Sequence, residues 1–314
     1  MTGSNVRGAL LALLAMAIYA MHDVAVKALG AGFSAPQIMF FAATFSFPLV
    51  MIGMVPMRGE AGLRPVHPGW VAGRAVAVVL NGVLAFYAFA VLPLAQVYAF
   101  LFTMPLIITA LSVPILGEPV GPRRWIAVLC GLVGVLIVLR PGMGDLTAGH
   151  LAALGSALAG AFGMVVVRRI GETERPMALL AIPLLANFLA MGAVLPFVYR
   201  PMALPELGLM AVVASFGLAA MWLSILSYRA GEAVIVAPMQ YSQMLWAIGF
   251  GWFLFHETPD VATLIGAGVI IASGVYIVAR EARARASLQP VLNSRLRPET
   301  EPRPDLLPPA DPPG

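Results

Sequence analysis

Charge is what this sequence has least of. Only 11% of the 314 residues are Asp, Glu, Lys or Arg, against 60% hydrophobic, and the mean hydropathy is +0.90. Soluble proteins carry roughly 25% charged residues. The 19 basic and 15 acidic side chains cannot clothe a soluble domain of this length. That excludes the soluble class and leaves a polytopic helical membrane protein. A single cysteine, Cys130, excludes an intrachain disulfide and a CxxC metal site. Walker A, HExxH, GxSxG and paired-carboxylate patterns are missing as well. An enzyme is therefore not expected, and nothing calls for a cofactor or a metal. The pI of 9.6 does not signal nucleic acid, because the basic residues sit between apolar spans. The stretch from Gly8 to Met21 has no small-residue cleavage site leading into a soluble domain. It reads as a first membrane helix and not as a signal peptide.

What is present is a succession of apolar runs. A helix needs about 20 apolar residues to cross hydrocarbon ~30 Å thick. The pattern predicts ten such helices, near 8–28, 35–55, 71–91, 95–115, 123–140, 149–168, 177–198, 207–228, 234–254 and 261–279. The third and fourth are divided at Leu92-Pro93-Leu94, where proline interrupts the helical hydrogen bonds. Residues 281–314 hold eight prolines among Arg and Glu, and are expected to be a disordered tail. Basic residues fall mainly on one side. With the N-terminus inside, the inside segments and tail carry 16 Lys and Arg; the outside carries only Lys27, Arg140 and Arg200. Both termini are thus expected in the cytoplasm, with the lipid bilayer as surroundings.

The chain also repeats. A shift of 141 lays helix 1 on helix 6, with Gly8 on Gly149, Lys27 on Arg168 and Gly30 on Gly171. A shift of 139 lays helix 4 on helix 9 and Glu118 on Glu257, and a shift of 140 places Gly134 on Gly274 and Arg140 on Arg280. Residues 8–140 and 149–280 are the two repeats. Five helices per repeat is an odd number, so the second repeat enters the membrane from the opposite side. The expected fold class is therefore all-α, a polytopic membrane protein of ten transmembrane helices in two inverted five-helix repeats. Inverted repeats allow one site at their interface to face either side in turn, which points to a secondary transporter.

The stretch from Leu116 to Gly121 (LGEPVG), its counterpart from Phe255 to Asp260 (FHETPD), and the glycine-rich helices after each resemble the drug/metabolite transporter superfamily. The similarity is to ten-helix proteins with two EamA domains, and it covers all ten helices. It implies that helices 3, 4, 8 and 9 line a central cavity with help from 1 and 6, while 5 and 10 brace the outside. It implies almost nothing about substrate.

Polar residues inside the spans are the candidate site, because polar groups are costly in hydrocarbon. Tyr19, Asp23 and Lys27 share one face of helix 1, with His22 beside them. The competing structural reading is an Asp23–Lys27 pair at i,i+4, with Lys27 snorkelling. If flux is proton-coupled, His22 and Asp23 are the groups expected to carry the proton. Helix 9 offers Gln240, Tyr241, Gln243 and Trp246, a set able to bind a flat polar solute or to hold helices together. Helix 4 offers Tyr98, Phe102 and Thr103; Asn81 and Trp222 are further liners on helices 3 and 8. Pro105 and Pro238 are candidate hinges or gates. The expected function is transport of a small metabolite across the inner membrane by alternating access. Riboflavin-like vitamins rank first as substrate; amino acids or their derivatives, including S-adenosylmethionine, come second. A membrane sensor or scaffold acting through the tail ranks below these.

Overall fold

The computed structural model describes residues 3–54, 64–118, 120–140, 146–231 and 233–288. They form ten helical segments. These are α1 (Gly3–Gly30), α2 (Ala35–Met54), α3 (Pro68–Val91), α4 (Leu94–Leu101 and Met104–Leu116) and α5 (Pro122–Leu139). The second half repeats the series as α6 (Ala148–Ile170), α7 (Pro176–Val198) and α8 (Leu204–Ala230), followed by α9 and α10. Segment α9 runs as Ala233–Val236, a 3-10 stretch Ala237–Ser242, and Gln243–Phe255; α10 is Val261–Leu288. Seven of the helices among the described residues are long and apolar enough to cross a membrane, taking both parts of α4 as one.

Local chemistry sets the boundaries. Segment α3 ends at Val91 because Leu92 precedes Pro93 and is extended, with φ −111° and ψ 157°. Gly117 ends α4 in the left-handed region at φ 71°, which only glycine adopts without cost. His256 ends α9 in the same region at φ 55°. One boundary differs from expectation. The final helix continues to Leu288, eight residues into the segment read as a disordered tail. The reason is composition: Glu281 to Leu288 reads EARARASL, all good helix formers save one serine, and the first proline comes only at Pro290. The remainder of that tail lies outside the described residues.

The packing obeys the inverted repeat. Segment α1 packs along α8, and its counterpart α6 packs along α3. Segments α5 and α10, which occupy the same place in each repeat, pack on one another, and so do α2 and α7. Small residues allow the close seams. A Cβ on Gly8 would lie 2.7 Å from the Cα of Gly231, and one on Gly155 would lie 3.0 Å from Leu84. In the α5–α10 seam, a Cβ on Gly134 would lie 2.8 Å from the carbonyl of Gly266, and one on Gly266 would lie 2.6 Å from that of Gly134. Without a hydrophobic drive between helices in lipid, such close approach supplies the packing energy.

Two side chains tie the repeats through backbone groups. Gln37, fully buried, donates to the carbonyl of Arg200 at 2.7 Å and accepts from its N–H at 2.9 Å. Glu174, also buried, accepts from the N–H groups of Val66 and His67 at 2.9 and 2.7 Å, and from Arg175 at 2.9 Å. Burial pushes the Glu174 carboxyl upward, but these three donors and His67 outweigh it and hold its pKa below the usual value. A depressed pKa contributes stability above the unfolded-state value, lost as pH falls through the folded-state value. Glu174→Ala is expected to lower the melting temperature in detergent by several degrees at neutral pH. The deficit should shrink in acid, as thermal scans across pH would show.

Candidate functional site

The candidate site forms where α1 meets α3, α4 and α8. Asp23 is buried in α1 and accepts a hydrogen bond from the hydroxyl of Tyr98, which is itself fully buried in α4. His22 Nδ1 lies 2.7 Å from the other carboxylate oxygen of Asp23. The His22 ring meets Phe86 of α3 edge-on at 6.1 Å and abuts the backbone at Gly217 of α8. Tyr19 stands one turn before Asp23 on the same helix. The cluster therefore draws on both repeats, and one carboxylate organises it.

From Tyr98 a chain of rings leads to the centre of the molecule. Phe89 and Phe102 flank Tyr98 at 5.6 and 6.0 Å, and Phe102 meets Tyr241 edge-on at 5.1 Å. Phe102 and Tyr241 are equivalent under the shift of 139, so this contact lies on the pseudo-two-fold axis. Both helices are irregular here. Segment α4 breaks at Phe102 and Thr103, and α9 is a 3-10 helix from Ala237 to Ser242. Pro105 follows the first break, where it removes the donor that the Leu101 carbonyl would otherwise meet; Pro238 lies within the second. Thr103 turns inward, its hydroxyl donating to the carbonyl of Phe100 at 2.6 Å. Irregular backbone at mid-membrane depth is tolerated where protein or a water-filled cavity surrounds it.

The remaining candidates divide. Gln240 and Gln243 are half-buried in α9 beside buried Tyr241, whose ring edge presses on Gly274 of α10. Asn81 accepts from the hydroxyl of Ser156 at 2.8 Å, which places it in the α3–α6 seam. Trp246 stacks on Phe250 at 6.1 Å and is 39% exposed. Trp222 is 58% exposed and makes no ring contact or hydrogen bond with the cluster among the described residues.

Lys27 corrects the competing reading of helix 1. It does not pair with Asp23. Its ammonium reaches Glu257 at 2.8 Å, at the far end of the second repeat, and donates to the carbonyl of Leu92 at 2.6 Å. The physical reason is competition. Asp23 is already held by Tyr98 and His22, while the end of α3 offers Lys27 two open carbonyls: that of Leu92, the extended residue past the helix end, and at 3.4 Å that of Phe89, whose helical donor Pro93 removes. Arg168, the equivalent of Lys27, pairs with Glu118, the equivalent of Glu257, at 2.7 Å. Neither pair is among the expectations from the sequence, where Glu118 and Glu257 enter only as repeat equivalents. The signal was present, since the repeat offsets had already laid Lys27 on Arg168 and Glu118 on Glu257.

Ten helices in two inverted repeats, with broken helices and a buried carboxylate at their interface, define a membrane carrier. The family model of the EamA-like transporter family matches residues 6–140 and 147–279. The chain belongs to this family. It is 25% identical to the S-adenosylmethionine uptake transporter of Rickettsia bellii, over 87% of this chain and 93% of that one. It is 26% identical to the riboflavin transporter of Vibrio cholerae, over 88% and 94%. A solved crystal structure matches with a TM-score of 0.58 at 21% identity, covering 88% of this chain and 97% of that one, which shows a likeness of fold.

Proposed function

We propose that this transporter moves a flat, polar, heteroaromatic metabolite across the inner membrane by alternating access, and that Asp23, His22 and Tyr98 form the polar part of its binding site. The observation that carries this reading is the buried Asp23 carboxylate, shared between Tyr98 and His22 where the two repeats meet. Ionisable groups at this depth in a bundle mark substrate or proton pathways. The ring series from Tyr98 through Phe102 to Tyr241 is buried in this conformation and would offer faces for a planar solute to stack on once the repeats part. Gln240 and Gln243 would add amide donors and acceptors. Pro105 and Pro238 would let α4 and α9 bend as the site changes sides. The excess of Lys and Arg on one side supports a cytoplasmic location for both termini.

Riboflavin-like vitamins are the first substrate reading, carried by the ring series and by the likeness to the riboflavin transporter. The second reading is a cationic amino-acid derivative of the S-adenosylmethionine kind. It is favoured by the negative charge of Asp23 and by the likeness to the S-adenosylmethionine uptake transporter. If protons drive the flux, His22 and Asp23 are the groups placed to exchange them.

The test is uptake of both labelled solutes into proteoliposomes by the parent protein and by Asp23→Asn. Asparagine keeps an acceptor for Tyr98 but removes the charge. A neutral flavin should still enter the variant at a rate within about threefold of the parent, whereas a cation should lose about tenfold or more. Uptake of neither solute by the parent would overturn both substrate readings.

A further inference from the structure

The two ion pairs between the repeats are related by the inversion, yet they are not in the same condition. At the Glu257 end, the side chains of Lys27 and Glu257 are only 11% and 22% exposed. Lys27 also lies over the ring of Phe255 at 5.4 Å, and Glu257 accepts from the N–H of Leu94 at 3.1 Å, at the first turn of α4. A carboxylate there meets the positive end of a helix dipole. One cluster thus stitches α1, the α3–α4 turn and the end of α9. The neighbouring seam is closed: a Cβ on Gly30 would lie 2.5 Å from that of Ala90. Arg140 and Asp260 add a second pair at this end. The equivalent of Asp260 in the first repeat is Gly121, which has no carboxylate to offer.

At the Glu118 end, Arg168 and Glu118 are 31% and 38% exposed. Segments α1 and α3 pack together, whereas their equivalents α6 and α8 make at most marginal contact among the described residues. The packed α1–α3 seam at the Glu257 end has no packed α6–α8 counterpart at the Glu118 end, so the repeats have taken different conformations, with the tighter seam at the Glu257 end.

We infer that Lys27–Glu257 and Arg168–Glu118 are reciprocal gate latches: the first is buried and shut in this conformation, and the second, paired but solvent-exposed here, is buried and shut when the repeats exchange conformations. This inference rests on the carrier reading above. In the exchanged state, the inversion assigns Arg168 to the carbonyl of Gly231, the equivalent of Leu92. It assigns Glu118 to the N–H of Ala233, the equivalent of Leu94. The seam between α6 and α8 then closes at Arg229, the equivalent of Ala90, while the seam at Ala90 opens. Each latch is a charge pair dry enough when shut to hold its end, and wet enough when open to be released.

The test uses purified full-length protein in detergent with Cys130→Ala as background. Ala90→Cys and, separately, Arg229→Cys report on the two seams through their rates of maleimide labelling. Lys27→Gln is expected to raise the rate at position 90 severalfold and to lower it at position 229 severalfold. Glu257→Gln should do the same, and the charge swap Lys27→Glu with Glu257→Lys should return both rates toward those of the parent. The lowered rate at 229 is the decisive sign, because local loosening at Lys27 cannot protect a site at the other end. Unchanged rates in both neutralised variants, each monodisperse by size exclusion, would overturn the inference. A rise at 90 without the fall at 229 would overturn it too. Labelling needs no substrate, so its outcome is separate from that of the uptake experiment.

Discussion

Asp23→Ala is expected to abolish uptake, lowering the initial rate about 100-fold or more while membrane expression stays near that of the parent. The carboxylate accepts from Tyr98 and sits 2.7 Å from His22. Alanine leaves both partners without an acceptor in a region where water is scarce. An unsatisfied buried polar group costs about 1–3 kcal/mol, and more when charge is involved. Two such losses at a site that must change conformation amount to a hundredfold or greater. Alanine thus differs from asparagine at this position. Asparagine retains the acceptor and tests charge; alanine removes both and tests whether the cluster matters at all. Initial-rate uptake normalised to surface protein checks this. A rate within about threefold of the parent would place the site elsewhere, with Gln240 and Gln243 of α9 the next candidates.

Gly134→Val is expected to prevent folding, whereas Gly268→Val is expected to be tolerated. Both glycines belong to the α5–α10 pair, yet their surroundings differ. A Cβ on Gly134 would stand 2.8 Å from a backbone carbonyl of Gly266, and backbone cannot rotate aside as a side chain can. The helices would have to separate along a seam that small residues hold together. Overpacking in a rigid interior typically costs about 1–3 kcal/mol, and two backbones in contact lie at or beyond the upper end. Gly268, on the same helix as Gly266, has nothing within 4 Å of its would-be Cβ. Recovery of monodisperse protein after detergent extraction separates the two: little from Gly134→Val, near-normal amounts from Gly268→Val. Equal recovery would mean that the α5–α10 brace is not needed for stability.

Much of this architecture is legible in the sequence, for physical reasons that differ from element to element. Spans follow from hydrocarbon thickness, so the ten apolar runs mark ten helices within a few residues. The division at Pro93 follows from the missing N–H and the extended backbone before it. Inversion follows from counting five helices per repeat. The helix beyond Arg280 was legible too, because EARARASL favours helix, but the prolines further on dominated the composition of the whole segment. Contacts across the repeats were harder. Tyr98 lies 75 residues from Asp23, and no periodicity on α1 reveals it. Lys27 lies four residues after Asp23, and the i,i+4 rule describes isolated helices well. It fails here because tertiary partners outcompete the helical neighbour. The repeat offsets carried the missing information, since a base and a glutamate repeated in both inverted halves can pair across the repeats at each end of the bundle.

Alternating access requires that one site be exposed to each side in turn. Counterflow in proteoliposomes tests it most directly, using whichever solute the parent protein takes up. Vesicles preloaded with unlabelled solute are expected to accumulate labelled solute faster and to a transient peak, several-fold above empty vesicles, because loaded carriers return faster than empty ones. Equal uptake by loaded and empty vesicles, with no transient peak, would contradict the alternating-access account and indicate a pore.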